Sequence, residues 1–128
     1  MSIVISNPVG DSFVSDFAHL DEITFTGNVN NLALPVGRGY RMLASGMSIN
    51  ISGIVAAPHN TMLLLYCAGS IGGIYYTRLL TLSALSSPGN KIITTWTGSF
   101  TVQRYRMLYL RYNETLDSGN GAWHFMTY

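Results

Sequence analysis

Short apolar or β-branched runs alternate with clusters of Gly, Asn, Pro and Ser along the chain from about residue 22. The clusters recur at roughly the eight-to-twelve-residue spacing of β-sandwiches and barrels, and their residues supply the φ angles that turns need. The runs predict eight or nine strands, near EITFT, VNNLALP, YRMLA, MSINISGI, TMLLLYCA, GIYYTRLLTL, KIITTWT, FTVQRYRMLYLRY and AWHFMTY. This pattern predicts an all-β fold, a jelly-roll-like antiparallel β-sandwich of about eight strands around one core.

One segment, residues 77–87 (TRLLTLSALSS), also has the spacing of a helix. In a helix, Leu79, Leu82 and Leu85 would line one face. The same residues fit a buried strand followed by a loop, and the short runs on either side favour that interpretation. No internal repeat is apparent in the sequence.

Residues 103–112 (QRYRMLYLRY) are predicted to form a strand on which neither face is polar. A sandwich strand turns one face to the core, so a second apolar face must meet another polypeptide or a covering segment of its own chain. Residues 61–68 (TMLLLYCA) have the same property, and two such strands favour contact with another chain over a covered monomer. The interface candidates on the first strand are Arg104, Tyr105, Arg106, Met107, Leu108, Tyr109, Leu110, Arg111 and Tyr112.

Composition supports this expectation. The chain has 128 residues, which suits one domain, and only 10% of them are charged. Soluble domains usually carry about 25% charged residues, and mean hydropathy here is +0.25. Such a surface suits a free monomer poorly, so we expect much of it to be covered by partners.

The charges are unevenly distributed. Four of the six acidic residues precede residue 23, whereas the first basic residue is Arg38. This division predicts an extended N-terminal arm over residues 1–21 and a β-sandwich domain over residues 22–128. The arm is either a solvated leader or a segment that lies on the basic body of a neighbouring subunit or shell protein. Its candidate interface residues are Asp11, Asp16, Asp21 and Glu22.

Membrane insertion and secretion are not expected. The longest apolar run, residues 61–69, is far shorter than the roughly 18 residues that would suggest a transmembrane helix. The N-terminus has neither a basic region nor a long apolar core, so it does not resemble a signal peptide. Cys67 is the only cysteine, which excludes an intrachain disulfide and predicts a small buried side chain.

The chain offers no group of residues typical of an enzyme. His19, His59 and His124 have no metal-ligand spacing, so we expect no metal and no cofactor. Glu114 and Asp117 flank a Gly-rich turn, which disfavours a pair of catalytic carboxylates. No Gly-x-Ser-x-Gly motif is present.

Nucleic acid is not an expected partner. Six arginines lie among many tyrosines, but a net charge of +1 lacks the basic footprint of a nucleic-acid-binding domain. Arg and Tyr are enriched at protein interfaces, where Lys and Glu are depleted, as they are in this chain. Trp123 follows a Gly-rich turn and is expected to close the core rather than to stack on a sugar.

Five segments in order resemble small β-sandwich structural proteins of tailed bacteriophages, such as capsid decoration (cement) proteins and the tips of tail or head fibres. The resemblance spans about residues 22–128 and includes a Leu-x-Leu-Pro strand and a terminal Tyr-Asn to Gly-x-Trp hairpin, with no catalytic signature. The segments are NNLALP (30–35), SGMSINISGI (45–54), LLLYCAGS (63–70), SSPGNKI (86–92) and YLRYNETLDSGNGAWHF (109–125).

The resemblance implies a virion structural protein that is made in the bacterial cytoplasm and exposed on the finished particle. A fibre tip usually hangs from a stalk, and the first predicted sandwich strand here follows only about twenty residues. We therefore expect a capsid decoration protein that binds the major capsid protein and other copies of itself. The alternative is a receptor-binding tip or adaptor of a fibre.

Overall fold

The structure, a computed structural model, describes residues 3–6, 20–34, 39–94 and 99–126. This part of the chain contains strands and turns and no helix, which confirms the all-β prediction and the strand interpretation of residues 77–80. The described residues form ten strands: β1 (Ile3–Ser6), β2 (Asp21–Phe25), β3 (Gly39–Ser45), β4 (Ile49–Ile51), β5 (Met62–Ile71), β6 (Thr77–Leu80), β7 (Ile92–Ile93), β8 (Ser99–Val102), β9 (Met107–Asn113) and β10 (Ala122–Met126).

The strands form two sheets that share one core. The larger sheet has the order β1-β2-β3-β5-β9-β10-β7, and the smaller has the order β4-β6-β8. Both are mixed, because β2-β3, β3-β5, β4-β6 and β7-β10 pair in parallel. A jelly roll is built of antiparallel strands, so the predicted all-antiparallel pairing is wrong, and the predicted jelly roll of about eight strands is not confirmed.

The parallel pairs arise because the chain winds around the core. After β2 the chain passes along the smaller sheet and returns to the larger sheet as β3, beside β2. It then crosses to the smaller sheet as β4, returns to the larger sheet as β5 beside β3, and crosses again as β6. Successive passes lie in parallel in the smaller sheet too, with bridges from Val29 to Ile51 and from Leu32 to Ile54. Parallel strands need a crossover connection; β4 provides it between β3 and β5, and β5 provides it between β4 and β6. Three successive parallel passes in each sheet thus resemble a short flattened solenoid, and antiparallel strands complete both sheets.

Aromatic side chains of the last two strands complete the core. Tyr112 on β9 meets Trp123 on β10 edge-on, with ring centroids 5.4 Å apart. The Trp123 Nε1–H donates to the carbonyl oxygens of Ile54 and Val55, each at 3.1 Å. The prediction that Trp123 closes the core is therefore confirmed, because its ring is buried and its polar atom is satisfied from within the chain.

An asparagine fastens the long connection between β6 and β7 to the smaller sheet. The side-chain carbonyl oxygen of Asn31 accepts hydrogen bonds from Ser86 Oγ at 2.8 Å, Ser87 N at 2.9 Å and Asn90 Nδ2 at 3.1 Å. Gly53 permits this close packing, because a Cβ there would lie 1.7 Å from Ser86 Oγ. The connection is thus held against the sheet by polar contacts.

Part of the predicted arm belongs to the larger sheet. Residues 3–6 form β1, which pairs antiparallel with β2 from Ile3 opposite Phe25 to Ser6 opposite Glu22. Asp21 is the first residue of β2. For these residues the expectation of an arm outside the sandwich does not hold. Residues 7–19, with Asp11 and Asp16, lie outside the described residues.

The strand predicted over residues 103–112 is interrupted. β8 ends at Val102 in the smaller sheet, and β9 begins at Met107 in the larger one. Between them is a tight turn in which Tyr105 takes φ 65° and its N–H donates to the Cys67 carbonyl at 2.6 Å. The turn carries the chain from one sheet to the other, so residues 103–106 are not part of a strand.

Candidate protein-binding surfaces

The two faces of β9 have different environments. Leu108, Leu110 and Tyr112 point into the core and are buried. The prediction that these three residues form an interface is corrected, because their side chains are already covered by the sandwich core. Met107, on the opposite parity, is 42% exposed, and Tyr109 and Arg111 are partly exposed. On this strand the expected interface is therefore limited to the residues that point away from the core.

The outward-pointing side chains of β9 and of its neighbouring strands form one surface, which we call the outer face. In the strand register Tyr66 lies between Arg41 and Met107, and Arg111 lies between Met62 and His124. The outer face consists of Glu22, Arg41, Met62, Leu64, Tyr66, Met107, Tyr109, Arg111 and His124. It combines Tyr, Met and Arg side chains, the types that are enriched at protein interfaces.

Leu64 shows that part of the outer face is already covered. It lies on the outward parity of β5, outside the core cluster, yet it is only 2% exposed. Its register neighbours are Gly39 and Tyr109. The two apolar faces of residues 61–68 are therefore buried in different places. Leu63 and Leu65 belong to the core cluster, whereas Leu64 is buried at the centre of the outer face.

Polar groups on the outer face are unequally satisfied. Arg41 forms an ion pair with Glu22, and both side chains are partly exposed, so the pair is worth about 1 kcal/mol at most. Arg111 Nε is buried and has no hydrogen-bond partner within the described part of the chain. A buried donor without an acceptor costs roughly 1–3 kcal/mol, so Arg111 carries an energetic cost within the described part of the fold.

The other candidates divide between the surface and the core. Arg104, Tyr105 and Arg106 are exposed in the turn before β9, where Tyr105 is 68% exposed and its ring centroid lies 5.9 Å from the Arg104 guanidinium carbon. Asp21 is buried on the inward parity of β2, whereas Glu22 lies on the outer face. The structure thus separates the candidates into an exposed turn, an outer face and a core.

A cleft opens beside this turn, and we call it the loop cleft. Its volume is about 420 Å³, and it lies between the end of β5, the segment that leads to β6, and the end of β8. The lining residues are Cys67, Gly69, Ile74, Tyr75, Tyr76, Thr101, Val102, Gln103 and Arg104. Sequence reasoning missed this site; the available signal was the apolar run Ile74 to Tyr76 directly after two glycines.

Burial changes the ionisation of two side chains near these surfaces. It raises the pKa of the Cys67 thiol above its ordinary value, against the lowering effects of the Gly69 backbone and the Arg104 charge. It also raises the pKa of Tyr112, with a further contribution from Glu114. Cys67 is therefore a neutral, weakly nucleophilic thiol at neutral pH.

Among the described residues, no group of three or more His, Cys, Asp or Glu side chains is placed to hold a metal ion. His59 is engaged locally, because its Nδ1 accepts a hydrogen bond from the Glu114 backbone at 3.1 Å.

The described residues also contain no helix that is long and apolar enough to span a membrane. Comparison with known proteins gives no further guide, since no protein family model, curated protein or solved structure matches the chain. The outer face and the loop cleft, both built from this chain's own residues, are therefore the basis for assigning a function.

Proposed function

We propose that this chain is a structural protein of a tailed bacteriophage, and specifically a capsid decoration protein. It binds the major capsid protein and other copies of itself on the virion surface, after synthesis in the bacterial cytoplasm. It stabilises the head by burying surface, without catalysis and without a cofactor, a nucleic acid or a membrane partner. The phage assignment is supported by the five sequence segments that resemble such proteins.

The observation that carries the binding role is the composition of the outer face. Met107, Tyr66 and Tyr109 offer apolar and aromatic area, and Arg111 contributes a buried donor without an acceptor among the described residues. Aromatic and arginine side chains supply most of the binding energy at protein interfaces. Docking a partner here would remove the exposed apolar and aromatic area from water.

The energy available from such a contact is sufficient. A standard interface buries about 1,600 Å² in total, and apolar burial contributes roughly 25 cal/mol per Å² before the losses on association are subtracted. A decoration protein also binds at many equivalent sites on a capsid. Reinforcement of the head therefore requires only modest affinity at each site.

A receptor-binding tip of a tail or head fibre is the second candidate function. The loop cleft favours it, because the cleft opens at one end of the sandwich and is lined by Tyr75 and Tyr76. Pockets with aromatic walls and a few polar groups are typical sites for small ligands. Location on the particle separates the two functions, since a decoration protein covers the head and a tip protein lies at the end of a fibre.

The first experiment locates the protein on purified phage particles. Gold-labelled antibody should mark the head lattice in many copies and should leave host adsorption unaffected. Label restricted to a fibre tip, together with blocked adsorption, would instead establish the receptor-binding role. Absence of the protein from purified particles would refute both.

A pair of substitutions then tests the outer face. Leu108→Asp places a carboxylate in the core and should prevent folding, because an unpaired buried charge costs several kcal/mol. Met107→Asp changes an exposed side chain on the adjacent residue and should leave the domain folded. We expect Met107→Asp to fold but to lose binding to undecorated heads, measured by co-sedimentation. Normal binding by this variant would contradict the proposed interface.

A further inference from the structure

The loop cleft combines a buried apolar floor with an exposed apolar mouth. Cys67 and Val102 form buried parts of its lining, whereas Ile74 is 78% exposed and Tyr76 is also exposed. Its volume of about 420 Å³ falls within the range of roughly 300–1,000 Å³ that is usual for ligand sites. An apolar group that entered from solvent would gain contact with the buried floor and would cover the side chains at the mouth.

Arg104 places a positive charge at the edge of the cleft. Its Nη2 nitrogen lies 3.5 Å from Ser70 Oγ, a weak contact, and its side chain passes over Gly69, where a Cβ would lie 3.0 Å from Nε. Gly69 also takes φ +123°, a backbone conformation that side chains disfavour. The glycine therefore leaves room for the arginine to lie against the backbone beside the cleft.

No described carboxylate shares the cleft with Arg104. The four carboxylates in the described part of the chain are Asp21, Glu22, Glu114 and Asp117, and none of them lines it. Glu22 is paired with Arg41 on the outer face, and Glu114 and Asp117 follow β9 at the opposite end of that strand from the turn that carries Arg104. An anionic group from outside would thus complement the charge at this edge.

We propose that the loop cleft is the socket for an acidic, aromatic segment of a partner protein. An aromatic side chain of the partner enters the cleft, and a neighbouring carboxylate pairs with the Arg104 guanidinium. This inference rests on the proposed function of the chain as a protein-binding module, and it specifies the chemistry of one partner contact. Buried aromatic anchors beside charge-assisted hydrogen bonds are the usual centres of binding energy at interfaces.

The test uses two small peptides and the isolated full chain. The first probe is acetyl-Phe-Asp-amide, and the second is acetyl-Phe-Asn-amide, which is nearly isosteric but lacks the charge. Binding is followed by the amide chemical shifts of Gly69 and Gln103, both of which line the cleft. The aspartyl peptide should bind about five- to tenfold more tightly than the asparaginyl peptide, the range of a single charge-assisted contact.

Two arginine variants identify the source of this preference. Arg104→Gln should abolish the difference between the peptides, because it removes the charge at the cleft. Arg106→Gln is the matched control, since Arg106 is exposed in the same turn but does not line the cleft, and it should keep the difference. Both side chains are exposed, so both variants should fold, as dispersed spectra would verify.

Three results would overturn the socket: no shift with either peptide, equal affinity for both, or equal loss in the two arginine variants. A response of the same amides to methyl α-D-glucoside, without a response to the peptides, would overturn it in favour of a sugar site. These measurements need no virion, so their failure is distinguishable from failure of the phage assignment, which depends on the location of the protein in particles.

Discussion

At the scale of single residues, Tyr112 links the core to two loops. Its ring packs edge-on against Trp123, and its hydroxyl donates to the Gly89 carbonyl at 2.7 Å in a buried position. The residue was expected among the interface candidates because strand parity alone does not say which face is buried. Its contacts instead give it a role in holding the connection before β7 against the last hairpin.

Removing that hydroxyl tests the role. Tyr112→Phe keeps the ring but leaves the Gly89 carbonyl without its donor, which should lower the free energy of unfolding by about 1–3 kcal/mol. Tyr109→Phe, three residues earlier and on the opposite, outward face of the strand, should change it by less than about 0.5 kcal/mol. Urea unfolding of the two variants measures the difference. Equal effects would show that the buried hydrogen bond contributes nothing.

At the scale of elements, the connection between β9 and β10 depends on unusual backbone angles. Asp117 and Ser118 take φ 52° and φ 55°, and Gly119 and Gly121 both take φ 88°. At Gly121 an added Cβ would also lie 2.3 Å from Tyr112 Oη, whereas at Gly119 nothing lies within 4 Å. The two glycines therefore share one backbone conformation but differ in their surroundings.

This difference allows a matched comparison. Gly119→Ala should cost about 1–2 kcal/mol of stability, which is the penalty of a left-handed conformation alone. Gly121→Ala should cost about 1–3 kcal/mol more, because its methyl group must displace the buried Tyr112 ring. Thermal and urea unfolding of both variants measure the two costs. If the two substitutions are equally destabilising, the close approach of Gly121 to Tyr112 has no energetic importance.

The turn between β8 and β9 is an element that the sequence pattern concealed. Residues 100–112 were predicted to form one continuous strand, and residues 103–112 contain neither Gly nor Pro. In the structure Tyr105 adopts a positive φ, which is uncommon for a non-glycine residue, and the Cys67 carbonyl accepts its N–H. The turn is thus stabilised by a contact with a strand nearly forty residues away, which no local propensity encodes.

At the scale of the whole molecule, stability should fall at alkaline pH because two buried groups resist ionisation. The pKa of Cys67 is raised above 9.0 and that of Tyr112 above 10.0. The unfolded chain releases each proton at the ordinary pKa, while the folded chain still retains it. Each group therefore stabilises the fold below its ordinary pKa, and this contribution is lost as pH rises towards the raised value.

Cys67→Ala tests the first part of this decline. In the original protein the free energy of unfolding should begin to fall near pH 9, whereas in the variant the fall should begin nearer pH 10, where Tyr112 contributes. The comparison uses the change with pH under reducing conditions, since the substitution also lowers stability at every pH. Parallel curves from pH 8 to pH 10 would exclude a contribution from the thiol.

The sequence by itself determined the all-β class, most strand positions and the burial of Trp123. These properties follow from local spacing: turn residues end each run, and the aromatic residue follows a Gly-rich turn in an alternating strand. Cys67 was also correctly expected to be buried, because it lies within the longest apolar run. None of these inferences needs to know which strands become neighbours.

Only the tertiary structure decided how the strands pair and which residues reach the surface. The parallel pairing of β2, β3 and β5 produces no periodic pattern in the sequence, because the register of these strands depends on contacts between distant residues. The same contacts turned Leu108 inward and Met107 outward, and they placed Ile74 and Arg104 in the lining of one cleft. Strand alternation defines two faces, but the physical choice between core and solvent is made by the packing of the whole chain.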